Sequence, residues 1–271
     1  MKKSILFFAV LFSIFNSLFS QELFVFTEPA SNMAAGNIGF RLSNSFMKEE
    51  VSRAINVHVF PEIMIGVSKK IMIHTEAFVS NRNKSMVAEG AAFYLKYRFY
   101  SRDEVHSHFR MALFTRTAFN NSEIHQPAID LNGHNSGWEL GTIATKLMNK
   151  VAISTSISSV YAEDNINQQW MEVVKLNRNA LNYSLSIGKL MLPKEYINYN
   201  QTNLNAMIEL LGQTNLNSGK TFLDLAPSIQ FIVKSKSRFD IGYRMALSNE
   251  LIRTSPSGGF FRFEYNIFNA F

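Results

Sequence analysis

Cysteine is absent from the 271 residues, so this chain has neither disulfides nor thiolate metal sites. Charge is sparse: Asp, Glu, Lys and Arg make up 18%, against roughly 25% in a soluble globular domain. Long apolar runs are missing once the leader-like start is set aside, and no later stretch reaches the roughly 18 residues that a spanning helix needs. The net charge of +6 includes Lys2 and Lys3 and comes without a basic block. That argues against nucleic acid as a partner, which calls for Lys and Arg clustered on one face. What abounds is apolar: 46% hydrophobic residues, with 24 Phe. Such a chain presents a surface not wholly facing water, and without a spanning helix closed strands are the remaining way across a bilayer.

Residues 1–20 have the three-part layout of a secretory signal peptide. Lys2 and Lys3 open it, Ile5 to Phe15 is apolar apart from Ser13, and Asn16 to Ser20 turns small and polar before Gln21. Export is therefore expected, with cleavage near Ser20. No Cys follows to make a lipoprotein. Residues 21–35 precede the first strand and are expected either to fold into a lumen as a partial plug or to lie in the periplasm. Glu28-Pro29 disfavours helix there.

From residue 36 to 271 apolar side chains recur at every second position. Ile38, Phe40 and Leu42 alternate with Asn37, Gly39, Arg41 and Ser43; Phe93, Leu95, Tyr97 and Phe99 with Tyr94, Lys96 and Arg98; Phe239, Ile241, Tyr243 and Met245 with Asp240, Gly242, Arg244 and Ala246. Period two means strands with one apolar and one polar face. The polar face carries Arg, Lys and Asp in mid-strand, where a small soluble barrel would place its apolar core, so the apolar side is expected to look outward. About twelve such segments follow one another, each long enough for a tilted strand that crosses a bilayer. They run approximately over 36–46, 54–68, 70–80, 89–101, 106–119, 136–148, 151–162, 179–191, 199–212, 220–234, 237–248 and 258–271. Connections after even-numbered segments are short, such as Asn149-Lys150 and Ser235-Lys236. Those after odd-numbered ones include the longest, Asn121 to Asn135 and Glu163 to Arg178. Short periplasmic turns alternating with long outer loops are what a single closed antiparallel transmembrane β-barrel, all-β and of even strand number, would show.

The last segment, Gly259 to Phe271, sets Phe261, Phe263, Tyr265, Ile267 and Phe271 on one face. In this it resembles the final strand of bacterial outer-membrane proteins, and the resemblance implies recognition by the barrel-assembly machinery through a strand ending at Phe271, with outer-membrane lipid as the other partner. A narrower resemblance rests on Glu22 to Met33, Phe60-Pro61-Glu62-Ile63-Met64 and His74-Thr75-Glu76-Ala77-Phe78. These stretches look like outer-membrane barrels of Bacteroidota, themselves similar to the MetA-pathway phenol-degradation transporter-like family. The resemblance implies a channel or transport role for a small solute.

Projected inward, the alternation lines the lumen with Arg41, Lys96, Arg98, Arg110, Arg116, Arg244 and Arg262, facing Glu76, Glu139, Glu209, Asp224, Asp240 and Glu264. One reading is a cation-lined passage that selects anionic solutes. The favoured one is a set of cross-strand ion pairs that fill a narrow barrel. His58, Met64, His74 and Glu76 share inward faces of one hairpin and offer nitrogen, sulfur and oxygen to a metal, though without strict ligand spacing. His106 and His108 are expected to be solvated beside a turn. In Gly133-His134-Asn135-Ser136-Gly137 a His and a Ser stand two apart, the arrangement of a base beside a hydroxyl nucleophile. The stretch resembles outer-membrane phospholipase A, but Gly137-Trp138 replaces that family's Asn-Gly after the Ser, and no third residue is positioned to orient His134. The expectation is a passive barrel for small solutes with no catalytic residues and no cofactor; a hydrolase using His134 and Ser136 and a closed structural or adhesion barrel are the alternatives.

Overall fold

The alternation becomes twelve antiparallel strands in the computed structural model, which describes residues 24–49, 53–81, 85–104, 107–124, 126–167, 178–195 and 200–271. The leader-like residues 1–20 and His106 lie outside the described residues. In chain order the strands are β1 (Ile38–Lys48), β2 (Ile55–Gly66), β3 (Ile71–Ser80), β4 (Val87–Glu104), β5 (Ser107–Asn120), β6 (Ser136–Met148), β7 (Val151–Glu163), β8 (Asn179–Leu192), β9 (Thr202–Asn215), β10 (Thr221–Val233), β11 (Ser237–Asn249) and β12 (Ser257–Ile267). Each pairs with its chain neighbours, and β1 pairs with β12 from Ile38↔Ile267 to Lys48↔Ser257, so the sheet closes on itself and has no free edge. No helix among the described residues is long and apolar enough to cross a membrane.

Most strand ends lie within a few residues of those the alternation predicts, β9 being shifted by three at both ends, and two differences change the architecture. Arg102 to Glu104, which the sequence reading puts in a turn, stay paired to Ser107–Phe109, so the β4–β5 hairpin projects farther. At the other extreme, β12 stops at Ile267 rather than Phe271. Asn269 adopts a positive φ of 52°, a conformation Asn tolerates better than most residues, and the chain turns so that the Ala270 N–H donates to the Gly36 carbonyl. Phe271 therefore lies past the ladder and is 74% exposed.

Outward positions carry the apolar residues. Phe40, Phe93, Leu140, Ile208 and Ile241 all stand exposed on the exterior, Phe93 at 46% and Ile241 at 57%. Cross-strand pairing joins them into a continuous belt, as where Phe40 opposes Tyr265 and the Phe239 and Phe263 rings lie 5.0 Å apart. A contiguous apolar exterior of this extent suits hydrocarbon rather than water.

Inward positions carry polar residues and, at several levels, alanine: Ala92, Ala112, Ala118, Ala162, Ala180 and Ala226 are all buried. These small side chains leave room for two chain segments to enter the lumen. From the end holding the short turns comes the segment 24–35, with Phe24 packed against Leu147, Ala152 and Met207, and Ala30 against Ala112, Phe114 and Ile143. Into the opposite, long-loop end folds the 121–135 connection, whose Ile129 and Leu131 pack on Phe78, Ala118, Val160, Ala162 and Ala180. Gly66 makes the lower entry possible: a Cβ there would sit 2.1 Å from the Ala34 carbonyl oxygen.

Candidate functional site

The lumen is built as a floor, a charged wall and a roof. Segment 24–35 forms the floor, its backbone held by residues that alternation turned inward. Glu209 on β9 accepts the N–H groups of Val25 (2.8 Å), Phe26 (3.1 Å) and Thr27 (2.8 Å). Lys96 on β4 donates to the carbonyls of Pro29 (2.7 Å) and Ser31 (2.9 Å), and Arg262 on β12 to those of Phe24 (2.6 Å) and Val25 (2.7 Å). Arg110 reaches Ser31 Oγ at 2.8 Å, and Thr145 Oγ1 accepts the Ala30 N–H. Of the two placements the sequence left open for this region, the described residues occupy the lumen.

Above the floor the wall is a network of ion pairs. Arg41 is held at once by Glu28 (2.9 Å), Glu62 (3.0 Å) and Glu264 (2.9 Å). Glu62 also contacts His74 Nδ1, and Arg116 pairs with Glu76. Asp224, fully buried, accepts from Arg244 (2.7 Å) and from Arg253 (2.7 Å). Asp240 accepts from Arg262 (2.6 Å) and Arg238 (2.9 Å). Burial alone would raise the Glu28 carboxyl, yet Arg41 and Lys96 override it and hold that carboxyl well below the usual carboxylate range. Burial draws the Arg253 guanidinium in the β11–β12 loop below its ordinary value, against the pull of Asp224.

Of the residues the sequence placed on the lumen face, Arg41, Glu76, Lys96, Arg110, Arg116, Glu139, Glu209, Asp224, Asp240, Arg244, Arg262 and Glu264 line the lumen or its floor. The cation-lined passage, however, does not form. Its guanidiniums are engaged by carboxylates, and Arg98 does not join them: its Nη2 donates to the Lys69 carbonyl at 2.6 Å and closes the β2–β3 turn at the rim. Four members escaped the sequence reading. Glu28 sits ahead of the strands, Arg253 in a loop, and Arg238 at a strand start, where periodicity is weakest. Glu62 has the parity of Met64 and His58 and was legible by alternation alone.

Two other constellations come apart. Met64 stands directly opposite His74, but His58 pairs with Ser80 near the far end of the hairpin and stacks on Phe60. Among the described residues no group of three or more His, Asp or Glu is set to hold a metal. His108, expected in solvent, points inward and is 8% exposed. Ser136 anchors the loop: its hydroxyl accepts the Asn120 N–H (2.8 Å) and donates to the Asn120 carbonyl (3.2 Å), while its own N–H donates to Asn165 Oδ1. The His134 carbonyl is fixed in the same cluster by Ser122 and Asn165.

Between floor and roof lies a cavity of about 440 Å³. Val25 to Glu28 bound it below, Ala128, Ile129 and Asp130 above, and its lining extends to Met47, Asn56 and Ser255 at the long-loop rim. The wall around it is uneven: Glu76, Tyr94, Phe114, Arg116 and Glu139 on β3–β6, hydroxyls and amides such as Ser156, Ser158 and Asn182 on β7–β8, and Phe222, Arg244, Phe260 and Arg262 on β10–β12.

No family model and no curated protein matches the chain. Solved structures do. An outer-membrane channel from Pseudomonas putida F1 superposes with a TM-score of 0.58 at 10% identity over 90% of this chain and 100% of that one. The NanC porin superposes with a TM-score of 0.50 at 10% identity, over 84% of this chain and 97% of that one. The architecture is thus that of outer-membrane channel barrels.

Proposed function

We propose that the protein is an outer-membrane barrel that admits small solutes, a narrow channel or transport component rather than an enzyme. The observation that carries this is the cavity: a polar, ion-paired space of about 440 Å³ inside an apolar-coated closed barrel, with a lining that extends to the long-loop rim. Its floor is a segment held by hydrogen bonds, not a strand of the wall, so a continuous path needs only that segment to shift. The likeness to channel structures supports the fold on which this reading rests. The commitment of the Ser136 hydroxyl to Asn120 counts against the hydrolase alternative.

Delivery belongs to the same proposal: export by a leader over residues 1–20, then insertion by the barrel-assembly machinery through the aromatic face of β12. So does kinship with the MetA-pathway transporter-like barrels of Bacteroidota, supported by the stretches quoted above. Liposomes carrying the protein should swell in isosmotic arabinose and markedly less in raffinose. Liposomes that swell in neither would refute the channel reading. N-terminal sequencing of protein from an outer-membrane fraction checks the route, and an intact Met1 would reject cleavage.

A further inference from the structure

The lumen charges are not evenly matched, and the mismatch falls on the cavity. Every guanidinium lining it is ion-paired: Arg41, Arg116, Arg244, Arg253 and Arg262 each reach a carboxylate. Two lining carboxylates, in contrast, form no ion pair among the described residues. Glu139 on β6 stands opposite Arg116 in the strand register, but Arg116 ion-pairs with Glu76 and keeps only a longer-range electrostatic interaction with Glu139. Glu139 is left with hydrogen bonds from Ser158 and from Asn182 (3.2 Å), both to the same oxygen, Oε1. Asp130 hangs from the roof, where its Oδ1 takes only the Asn132 N–H, within electrostatic reach of both Arg116 and Arg253.

An independent observation concerns orphaned polar atoms. Among the described residues His74, 4% exposed and lining the cavity, leaves Nε2 without a hydrogen-bond partner, and the Tyr94 hydroxyl next to it is also unpartnered. With Nδ1 turned to Glu62, Nε2 is the ring nitrogen left for a ligand, and the phenol oxygen can accept as well. Arg116 Nε is unpartnered too, but that cation is already neutralised by Glu76. The rings of Tyr94 and Phe114, stacked at 5.5 Å, complete the same wall. Asp224 serves two guanidiniums, Arg244 on β11 and Arg253 in the β11–β12 loop, and Arg253 is the one within electrostatic reach of Asp130.

We propose that the cavity is a binding site for organic cations bearing a primary ammonium group, held between Glu139 and Asp130 against the Tyr94–Phe114 wall. This reverses the anion preference that a row of inward arginines suggests. The ammonium supplies donors and a positive charge to two carboxylates that form no ion pair among the described residues, and aromatic faces favour cations. The inference rests on the reading of the cavity as the solute site and deepens it by naming the solute class.

Three near-isosteric probes separate the possibilities: benzylammonium, benzoate and benzyl alcohol, titrated calorimetrically into the full-length protein in detergent. Benzylammonium should bind more tightly than benzoate by about tenfold or more, the order of one charge contact in a partly screened site. Glu139→Gln and Asp130→Asn should each lower that ratio severalfold while leaving benzyl alcohol unchanged; that unchanged affinity also shows the barrel is still folded. Equal or tighter binding of benzoate overturns the proposal, as does a ratio indifferent to both substitutions or no binding of any probe. Liposome swelling without charge discrimination would defeat this inference and leave the channel standing. Cation binding by a protein that swells no liposome would do the reverse.

Discussion

At the scale of single residues, the lumen shows how one carboxylate or guanidinium can hold several partners. Removing one member strands the others in a buried space, and that cost exceeds what the pair itself contributes. Asp224→Asn leaves Arg244 and Arg253 together without their shared counter-charge, and unfolding in urea should show a loss of about 3–5 kcal/mol. Glu28 makes a pH-dependent contribution whose sign follows from its lowered carboxyl. A group ionised more readily folded than unfolded stabilises above its unfolded value, near pH 4, and that stabilisation drains away as pH falls towards the folded value. Glu28→Gln should therefore lower the melting temperature in detergent at pH 7 and make progressively less difference below about pH 4. A gap that stays constant down to strongly acidic pH would show that Glu28 acts by shape alone. Most of this network could be read from alternation, since parity assigns Arg41, Asp224 and Arg262 inward without any structure. Who pairs with whom could not: Arg116 faces Glu139 across the ladder yet ion-pairs with Glu76 two strands away, which parity does not encode.

At the scale of elements, the strands were the legible part and the intruding segments were not. Period two survives any change of register by an even number of residues, so Ser136–Met148 is readable to the residue. Segment 24–35 and the 121–135 connection have no such period; their places follow from space left by inward alanines, a property of the closed barrel. The β12 end was misread because Phe271 continues the aromatic rhythm, whereas Asn269 breaks the backbone. Two predictions belong here. Gly66→Val puts a side chain where the Ala34 carbonyl now lies, and in planar bilayers it should raise conductance severalfold by displacing the floor. Leu131→Asp, in contrast, puts a charge into the Phe78–Val160 cluster and should expel the roof loop, measured as new protease sensitivity between residues 121 and 135 with the barrel intact. Unchanged conductance in the first variant would mean that the floor is not what limits passage.

For the whole molecule, a closed sheet joins the apolar exterior to the polar interior, and each makes sense only with the other. Were the apolar belt turned to water, Phe93 and Ile241 would drive association; were the lumen dry, its carboxylates would stay uncharged. Purified protein should hold its β-sheet circular dichroism in detergent micelles and aggregate on dilution below the critical micelle concentration, which light scattering would report. The twelve-strand closure fixes how wide the space is, and the two inserted segments fix how much of it stays empty. Arg262 on the final strand grips the carbonyls of Phe24 and Val25, while Glu209 three strands earlier captures the amides just after them. The stretch of chain that leads into the first strand therefore has its full set of partners only when the final strand is in place. Closure of the barrel and the seating of its floor are thus coupled through Arg262.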